Sequence, residues 1–230
     1  MHLHWLPRAE LKSVAVTISI PQYPLTTDLY FWALQASFSG PEGVSGGAHL
    51  GLQWHEQYPG GTAVNWGGYD SSGTILTGTD SELPSPIGNP HTMAYPWRAG
   101  NSYRLSISID PELGAGWWRG AVSDLGSGEE RHVRSLYGPG DRLIAAMTWT
   151  EAFCRCDAQP VAVIWSNAAG VSLEGIEYQP ESCSTTYQSE SDGGCSSGDS
   201  RALPHGVTQI TGVLRTNPSG TILPFVQEST

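Results

Sequence analysis

Positive charge is scarce in this sequence. The 230 residues contain 11 Lys and Arg against 22 Asp and Glu, which gives a formal net charge of −11 and a pI near 4.9. A chain with this charge is repelled by phosphate backbones and by anionic lipid surfaces. We therefore expect neither nucleic acid nor a membrane among its partners.

Long apolar runs and targeting signals are missing as well. No run of about 18 apolar residues predicts a membrane-spanning helix. Residues 1–24 lack the basic start, the apolar helical segment and the small-residue cleavage site of a signal peptide. Either the protein is intracellular or a leader has already been removed, and the cytoplasm is the default prediction.

Helical periodicity is absent, and apolar residues alternate with polar ones instead. The alternation is clearest over residues 14–20, 30–38 and 103–109, and a period of two is typical of strands with one buried face. Weaker patterns predict further strands at residues 48–54, 62–66, 117–124, 131–136, 143–150, 161–165, 173–178 and 209–215.

Turn residues separate these strands, as in SGPEGVSGG at 39–47 and YGPGD at 137–141. Many short strands punctuated by Gly and Pro predict an all-β fold, a two-sheet antiparallel β-sandwich of jelly-roll type. One domain suffices for this length, so we predict a single β-sandwich domain over residues 1–230. Its core is expected at about 11–180, with a polar loop and C-terminal extension at 181–230. The Pro-rich segment 77–96 is predicted to be a long loop that rims the site.

Four cysteines lie late in the chain, Cys154 and Cys156 as C-x-C and then Cys183 and Cys195. On a strand, C-x-C directs both sulfurs to one face, about 6–7 Å apart at Cα. Each is therefore better placed to bridge to Cys183 or Cys195 than to the other. Disulfide bonds and buried free thiols are both open alternatives. A zinc site is disfavoured because the spacing matches none of the paired C-x2-C arrangements.

Several strings in the sequence resemble strands of concanavalin A-like jelly-roll domains. They are LYFWALQASFSG and GGAHLGLQW within 29–54, AVNWGGYD at 63–70 and YPWRAGNSYRLSISI at 95–109. The chain is most similar to an uncharacterised bacterial family of such domains, over about residues 11–176. The resemblance implies a jelly-roll sandwich and either carbohydrate recognition or carbohydrate cleavage, and a fold alone does not choose between them.

Carbohydrate cleavage in that superfamily uses Glu and Asp alternating on one strand face, as E-x-D-x-E or E-x-D-x-x-E, which brings the nucleophile and the acid together. The sequence contains no such motif. Its nearest acidic string, ESD at 190–192, lies in a Ser- and Gly-rich segment and is predicted to be a solvated surface. We therefore predict a non-catalytic, lectin-like domain with a glycan as its partner and no cofactor.

Residues typical of sugar sites lie at the predicted strand ends. Sugar sites combine an aromatic ring that stacks on the pyranose face with planar polar groups that bind hydroxyls. The string NWGGYD at 65–70 supplies an amide, two rings and a carboxylate, and Trp97 beside Arg98 adds a ring and a donor. Core positions for these rings are the competing interpretation. The predicted recognition set is Asn65, Trp66, Tyr69, Asp70, Trp97 and Arg98.

Two other functions stay open. In a polysaccharide lyase or an atypical glycoside hydrolase, the catalytic group would be His49, Glu151 or Asp157, and His49 would need Tyr69 or Arg98 as a partner. The odd-numbered residues from 149 to 157 share one predicted strand face, where an ion-pair ladder is the simpler interpretation. The third function is a structural or protein-interaction domain without a small ligand. Single Asp residues and scattered histidines predict no metal site.

Overall fold

The computed structural model describes residues 1–226 and confirms the predicted all-β sandwich. Helix in this part of the chain is limited to the 3-10 turns Pro59–Gly61 and Glu190–Asp192. Neither turn is long and apolar enough to cross a bilayer. The strands are β1 (His2–Leu6), β2 (Leu11–Ser19), β3 (Tyr30–Gly40), β4 (Gly43–Trp54), β5 (Thr62–Asp70), β6 (Thr92–Ala94), β7 (Ser102–Asp110), β8 (Gly114–Asp124), β9 (Glu130–Tyr137), β10 (Arg142–Ala152), β11 (Val161–Ser172), β12 (Glu177–Tyr178), β13 (Ser182–Thr186), β14 (Gly198–Ala202), β15 (Val207–Thr211) and β16 (Ile222–Pro224).

The strands form two antiparallel layers. The first sheet has the order β16–β13–β1–β10–β3–β4–β5–β6. The second sheet has the order β14–β15–β11–β2–β7–β8–β9. Within residues 1–226, one backbone pairing, between Leu11 and Leu143, joins the two sheets. Two sheets that each have one apolar face bury those faces against each other, which places the core between them.

The alternation along β3 shows how the sequence builds both the core and an outer surface. Trp32, Leu34 and Phe38 point inward and are fully buried, and burial of each such side chain contributes roughly 1.5–3 kcal/mol. The odd-numbered residues of β3 point to the outer face, where Phe31 and Ala33 form a second, smaller apolar cluster with Trp149. The outer face of the first sheet is therefore partly apolar as well.

The chain turns at a glycine within two of the predicted strands. Gly212 has φ +70° and Gly175 has φ +86°, a left-handed conformation that side chains other than glycine rarely adopt. Accordingly β15 ends at Thr211, and the segment predicted as a strand over 173–178 contains a turn followed by the short strand β12.

The region after residue 180 differs from its prediction as a polar loop and extension. It supplies β13, β14, β15 and β16, and it buries Cys183 and Val207. A disulfide joins Cys156 to Cys195 with their Cα atoms 5.5 Å apart, while Cys154 and Cys183 are free thiols. The single-domain boundary at 1–230 stays a prediction, and residues 227–230 lie outside the described residues.

Candidate functional site

A groove of about 500 Å³ lies on the outer face of the first sheet. Its floor comes from β3, β4 and β10, through side chains such as Phe31, His49 and Trp149, and its rim comes from the segments around 187–198 and 211–215. The floor residues point away from the core because they alternate with the inward side chains of the same strands.

A carboxyl and an amide flank Phe31 in one row across the sheet. Glu151 on β10 pairs with Phe31 on β3, and Phe31 pairs with Gln53 on β4. Paired residues on adjacent strands point to the same face, and strands lie about 4.8 Å apart. The Cα atoms of Glu151 and Gln53 are therefore about 10 Å apart by this spacing.

Glu151 is the carboxyl group of this row. Its side chain lines the groove and is open to solvent on one side. Burial of its remaining surface raises its pKa above the usual value of 4.5, and the positive amine of Met1 offsets part of this rise. A carboxyl with a raised pKa exchanges protons closer to neutral pH than an ordinary Glu, which is the property that acid–base catalysis needs.

Two glutamines lie on the same face: Gln35 lines the groove, whereas Gln53 is buried, with 5% exposure, and is not part of its lining. The Oε1 atom of Gln53 accepts a hydrogen bond from the Tyr58 hydroxyl at 3.0 Å, and that of Gln35 accepts one from Trp149 Nε1 at 2.9 Å. Besides the oxygen that accepts these bonds, each amide carries two N–H donors for a ligand oxygen. Gln35 lies four residues along β3 from Phe31, about 13 Å at the usual rise per residue, so Gln53 is nearer to Glu151.

The floor of the groove is aromatic. The Phe31 and Trp149 rings meet edge to face with centroids 4.9 Å apart, and the His49 ring lies 5.4 Å from Phe31 and 5.6 Å from Trp149. Burial lowers the pKa of His49 from 6.5 to about 4, with a smaller contribution from the charge of His91. His49 is therefore uncharged at neutral pH and adds to the apolar character of the floor.

We expect mild acid to destabilise the fold through His49. Its folded pKa lies below its unfolded value, so the unfolded chain binds the extra proton, and stability present above pH 6.5 is lost as the pH falls toward 4. A shift of this size corresponds to at most about 3 kcal/mol. Urea unfolding followed by Trp fluorescence checks this as the loss in free energy of unfolding between about pH 7 and pH 4. His49→Gln should lose less than wild type, and His205→Gln, at an exposed histidine, should lose as much as wild type. An equal loss in wild type and His49→Gln would contradict the assignment.

The rim opposite the floor is fastened by a disulfide and an arginine. The Cys156–Cys195 disulfide ties the segment after β10 to the segment before β14. The Arg215 guanidinium lies over the Tyr187 ring, 3.9 Å from its centroid, and donates to the carbonyl oxygens of Gly198 and Cys195. These contacts hold one wall of the groove in place.

The structure does not assemble the predicted recognition set, and its two tryptophans are buried. Trp66 is 0% exposed and Trp97 is 1% exposed, so neither ring can stack on a ligand. Trp66 points into the core, where a Cβ added at Gly120 would lie 2.8 Å from its ring. Trp97 donates through Nε1 to the main-chain carbonyl oxygen of Gln53 at 3.0 Å. Asn65 is also buried and donates to the Thr92 hydroxyl.

The other members of the set lie apart. Tyr69 lines the groove, but Asp70 lies in a different depression and accepts hydrogen bonds from the backbone N–H groups of Ser72 and Thr74 in a turn. Arg98 is exposed on a loop. The segment 77–96, which we expected to rim the site, contributes nothing to the groove lining and forms β6 at the sheet edge.

The residues of the alternative catalytic hypotheses are partly brought together. His49 and Glu151 both line the groove, whereas Asp157 lies beyond the end of β10 in an exposed ion pair with Arg155 at 2.9 Å. Among residues 1–226, no group of three or more His, Cys, Asp or Glu side chains is placed to hold a metal ion. Sequence reasoning missed Gln35 and Gln53; their positions in alternating strands, on the face of His49, were the available signal.

No protein-family model matches the chain, and no curated protein matches it. Among solved structures, the chain is similar to scytalido-glutamic peptidase with a peptide-based transition state analog, with 12% identity, a TM-score of 0.50 and coverage of 91% of this chain and 96% of that one. It is also similar to SCP-B, a member of the eqolisin family of peptidases, in complex with the tripeptide Ala-Ile-His, with 11% identity, a TM-score of 0.47 and the same coverage. At these identities the similarity shows the fold, a β-sandwich.

These comparisons contradict the prediction of a non-catalytic, lectin-like domain. The scytalido-glutamic peptidase that the chain resembles is a peptidase, and its ligand is peptide-based rather than a glycan. The prediction rested on aromatic residues near strand ends, and packing between the two sheets buries Trp66 and Trp97. The expected glycan partner and the preference against an enzyme are corrected with it.

Proposed function

We propose that this chain hydrolyses peptide bonds and that Glu151 is its catalytic carboxyl group. The observation that carries the proposal is the accessible Glu151 of raised pKa in a groove on the sheet, with the amide of Gln53 in the same row of paired residues. The likeness in fold to a glutamic peptidase with a peptide-based ligand supports the choice of substrate. The proposed activity is that of a hydrolase whose sequence lacks the E-x-D-x-E motif.

The chemistry follows from a carboxyl and an amide in one row. Ionised Glu151 takes a proton from water, whose oxygen attacks the carbonyl carbon of the peptide bond. We assign the Nε2 group of Gln53 to stabilise the charge that forms on the carbonyl oxygen. Protonated Glu151 then gives its proton to the departing nitrogen as the C–N bond breaks, which leaves one new carboxyl end and one new amino end.

Cleavage is expected to rise with pH through the pKa of Glu151, because only the ionised carboxylate can accept the proton from water. Since burial raises this pKa, the half-maximal point on the acid side should lie above the ordinary Glu value of 4.5. The measurement is kcat/KM for an unfolded polypeptide between about pH 3 and pH 8, with new termini identified by mass spectrometry. Circular dichroism at each pH establishes that the chain is folded. No cleavage at any pH, or a half-maximal point below 4.5, would contradict the proposal.

Three further expectations belong with this proposal. The Cys156–Cys195 disulfide supports an oxidising compartment, rather than the predicted cytoplasm, as the place where the protein functions. Reducing compartments keep thiols free. A single domain over residues 1–230 is supported by strands from both ends of the chain in both layers. Membership of the concanavalin A-like superfamily is supported by the two antiparallel sheets alone.

A further inference from the structure

Arg215 carries a charge that no carboxylate of the described chain neutralises. None of the ion pairs found among residues 1–226 includes it. The other arginine of the groove, Arg155, forms two hydrogen bonds of 2.9 Å with the carboxylate of Asp157. The groove therefore contains one compensated guanidinium and one that has only neutral partners.

The Arg215 guanidinium is held in a fixed orientation. Its Nε atom donates to the Gly198 carbonyl oxygen at 2.9 Å, and its Nη2 atom donates to the Cys195 carbonyl oxygen at 2.5 Å. One face lies on the Tyr187 ring. The hydrogen bonds of the described residues leave Nη1 without an acceptor, and a guanidinium donates best to the oxygens of a carboxylate. A group with restricted rotamers loses little entropy when it binds such a ligand.

Arg215 is also close enough to Glu151 to contact the same substrate. Met1 bridges the two walls: its amine donates to the carbonyl oxygen of Thr150, the neighbour of Glu151, at 2.9 Å. The Met1 sulfur lies beside Gly198, 3.0 Å from where a Cβ atom added to that glycine would be. The carbonyl oxygen of Gly198 accepts the hydrogen bond from Arg215 Nε. A single side chain thus spans the distance between the Glu151 strand and the anchor of Arg215, and an extended peptide of a few residues spans more than that.

We infer that Arg215 is a specificity-determining residue that binds a carboxylate of the peptide substrate, either an Asp or Glu side chain or the C-terminal carboxyl group. The inference rests on the proposed function, because it takes the groove to be a peptide site. It adds that acidic peptides bind in preference to their neutral counterparts, although the chain itself is strongly acidic. An uncompensated cation is the feature that offsets this general repulsion locally.

The test measures binding separately from cleavage. In the Glu151→Gln background, which keeps peptides intact, the Kd is measured by fluorescence polarisation for two sets of labelled peptides. One set replaces Gln by Glu at successive positions, and the other compares a C-terminal carboxylate with a carboxamide. At about pH 6, above the ordinary Glu pKa of about 4.3, both kinds of carboxylate are ionised. The first set reports a side-chain carboxylate and the second a C-terminal one.

We expect at least one carboxylate peptide to bind about tenfold more tightly than its neutral counterpart. Arg215→Gln should bring this ratio close to one, and Arg215→Lys, which keeps the charge but not the planar fork, should leave an intermediate ratio. Arg131→Gln on β9, outside the groove lining, is the charge-matched control and should keep the full preference. If Arg215→Gln only loosened the rim, it would weaken both members of a pair equally.

Equal affinity within every pair would overturn the inference, and so would a preference that Arg215→Gln leaves unchanged. The failure of the proposed function looks different. In that case wild type cleaves no peptide, while the Arg215-dependent preference in binding is still observed. Conversely, wild type that cleaves neutral and acidic peptides equally well retains the proposed function and loses the role of Arg215.

Discussion

Glu151→Gln is expected to lower kcat/KM for peptide cleavage by about a thousandfold, within the range that acid–base catalysis supplies. Glutamine has nearly the same shape as glutamate, but its amide can neither accept a proton from water nor return one to the leaving nitrogen. The carboxyl points into the groove from the end of β10, so the substitution leaves the core untouched. The measurement is the initial rate on one peptide under matched conditions for both chains.

Glu130→Gln provides the matched control. Glu130 is an exposed residue of β9, where it contacts Arg119 at 3.9 Å, and it does not line the groove. The same change of charge there should leave cleavage unaltered. Retention of activity within about tenfold of wild type by Glu151→Gln would remove Glu151 from its catalytic role, since loss of an acid–base group costs at least about a hundredfold.

Asp199→Asn is expected to lower the free energy of unfolding by about 2–4 kcal/mol at neutral pH. Asp199 is fully buried in β14. One carboxylate oxygen accepts from the backbone N–H groups of Ser200 and Asn217, and the other accepts from Arg201 Nε at 2.8 Å and the Thr216 hydroxyl at 2.5 Å. The side-chain NH2 group of an asparagine here faces at least one of these hydrogen-bond donors, so that two donors meet and no hydrogen bond forms between them. Chemical denaturation of both chains measures the difference.

The same effect should depend on pH with a definite sign. Burial by itself raises the pKa of Asp199, but the hydrogen bonds from Thr216, Arg201 and Asn217 outweigh it and lower the pKa from 3.8 to about 2. The contribution to stability is therefore complete above pH 3.8 and is lost as the pH falls toward 2. The gap between wild type and Asp199→Asn should shrink by about 2 kcal/mol over this interval. Asp157→Asn, in an exposed ion pair, should show no measurable change. A gap that stays constant in acid would show that hydrogen-bond geometry, not ionisation, is responsible.

Much of the strand content was predictable because alternation is a local property. The patterns over 14–20, 30–38 and 103–109 correspond to β2, β3 and β7, since a half-buried strand must repeat every two residues wherever it lies. Of the strands after residue 180, only β15 was predicted in part, through the pattern at 209–215. β13 is Ser182–Thr186, a polar string with no apolar alternation, and it is a strand because its backbone pairs with β1 and β16. That pairing involves residues at both ends of the chain, which a local pattern does not contain.

The groove was only partly predictable. Glu151 and His49 were named as candidate catalytic groups, and both line it. Arg215 was assigned to a predicted strand, whereas the chain turns at Gly212 and carries Arg215 onto the rim. The predicted recognition set is not brought together, for a different reason. Residue type alone predicted exposed rings, but the second sheet covers Trp66 through contact with Gly120.

By itself, the sequence determined the class of fold and which residues of the main strands share a face, because both depend on local periodicity. Only the tertiary structure decided which tryptophans are buried and which acidic residue faces a groove. Those outcomes depend on which strands become neighbours: β10, β3 and β4 bring Glu151, Phe31 and Gln53 into one row from positions far apart in the chain. Register between distant strands is set by packing of the whole sandwich, and no stretch of sequence contains it.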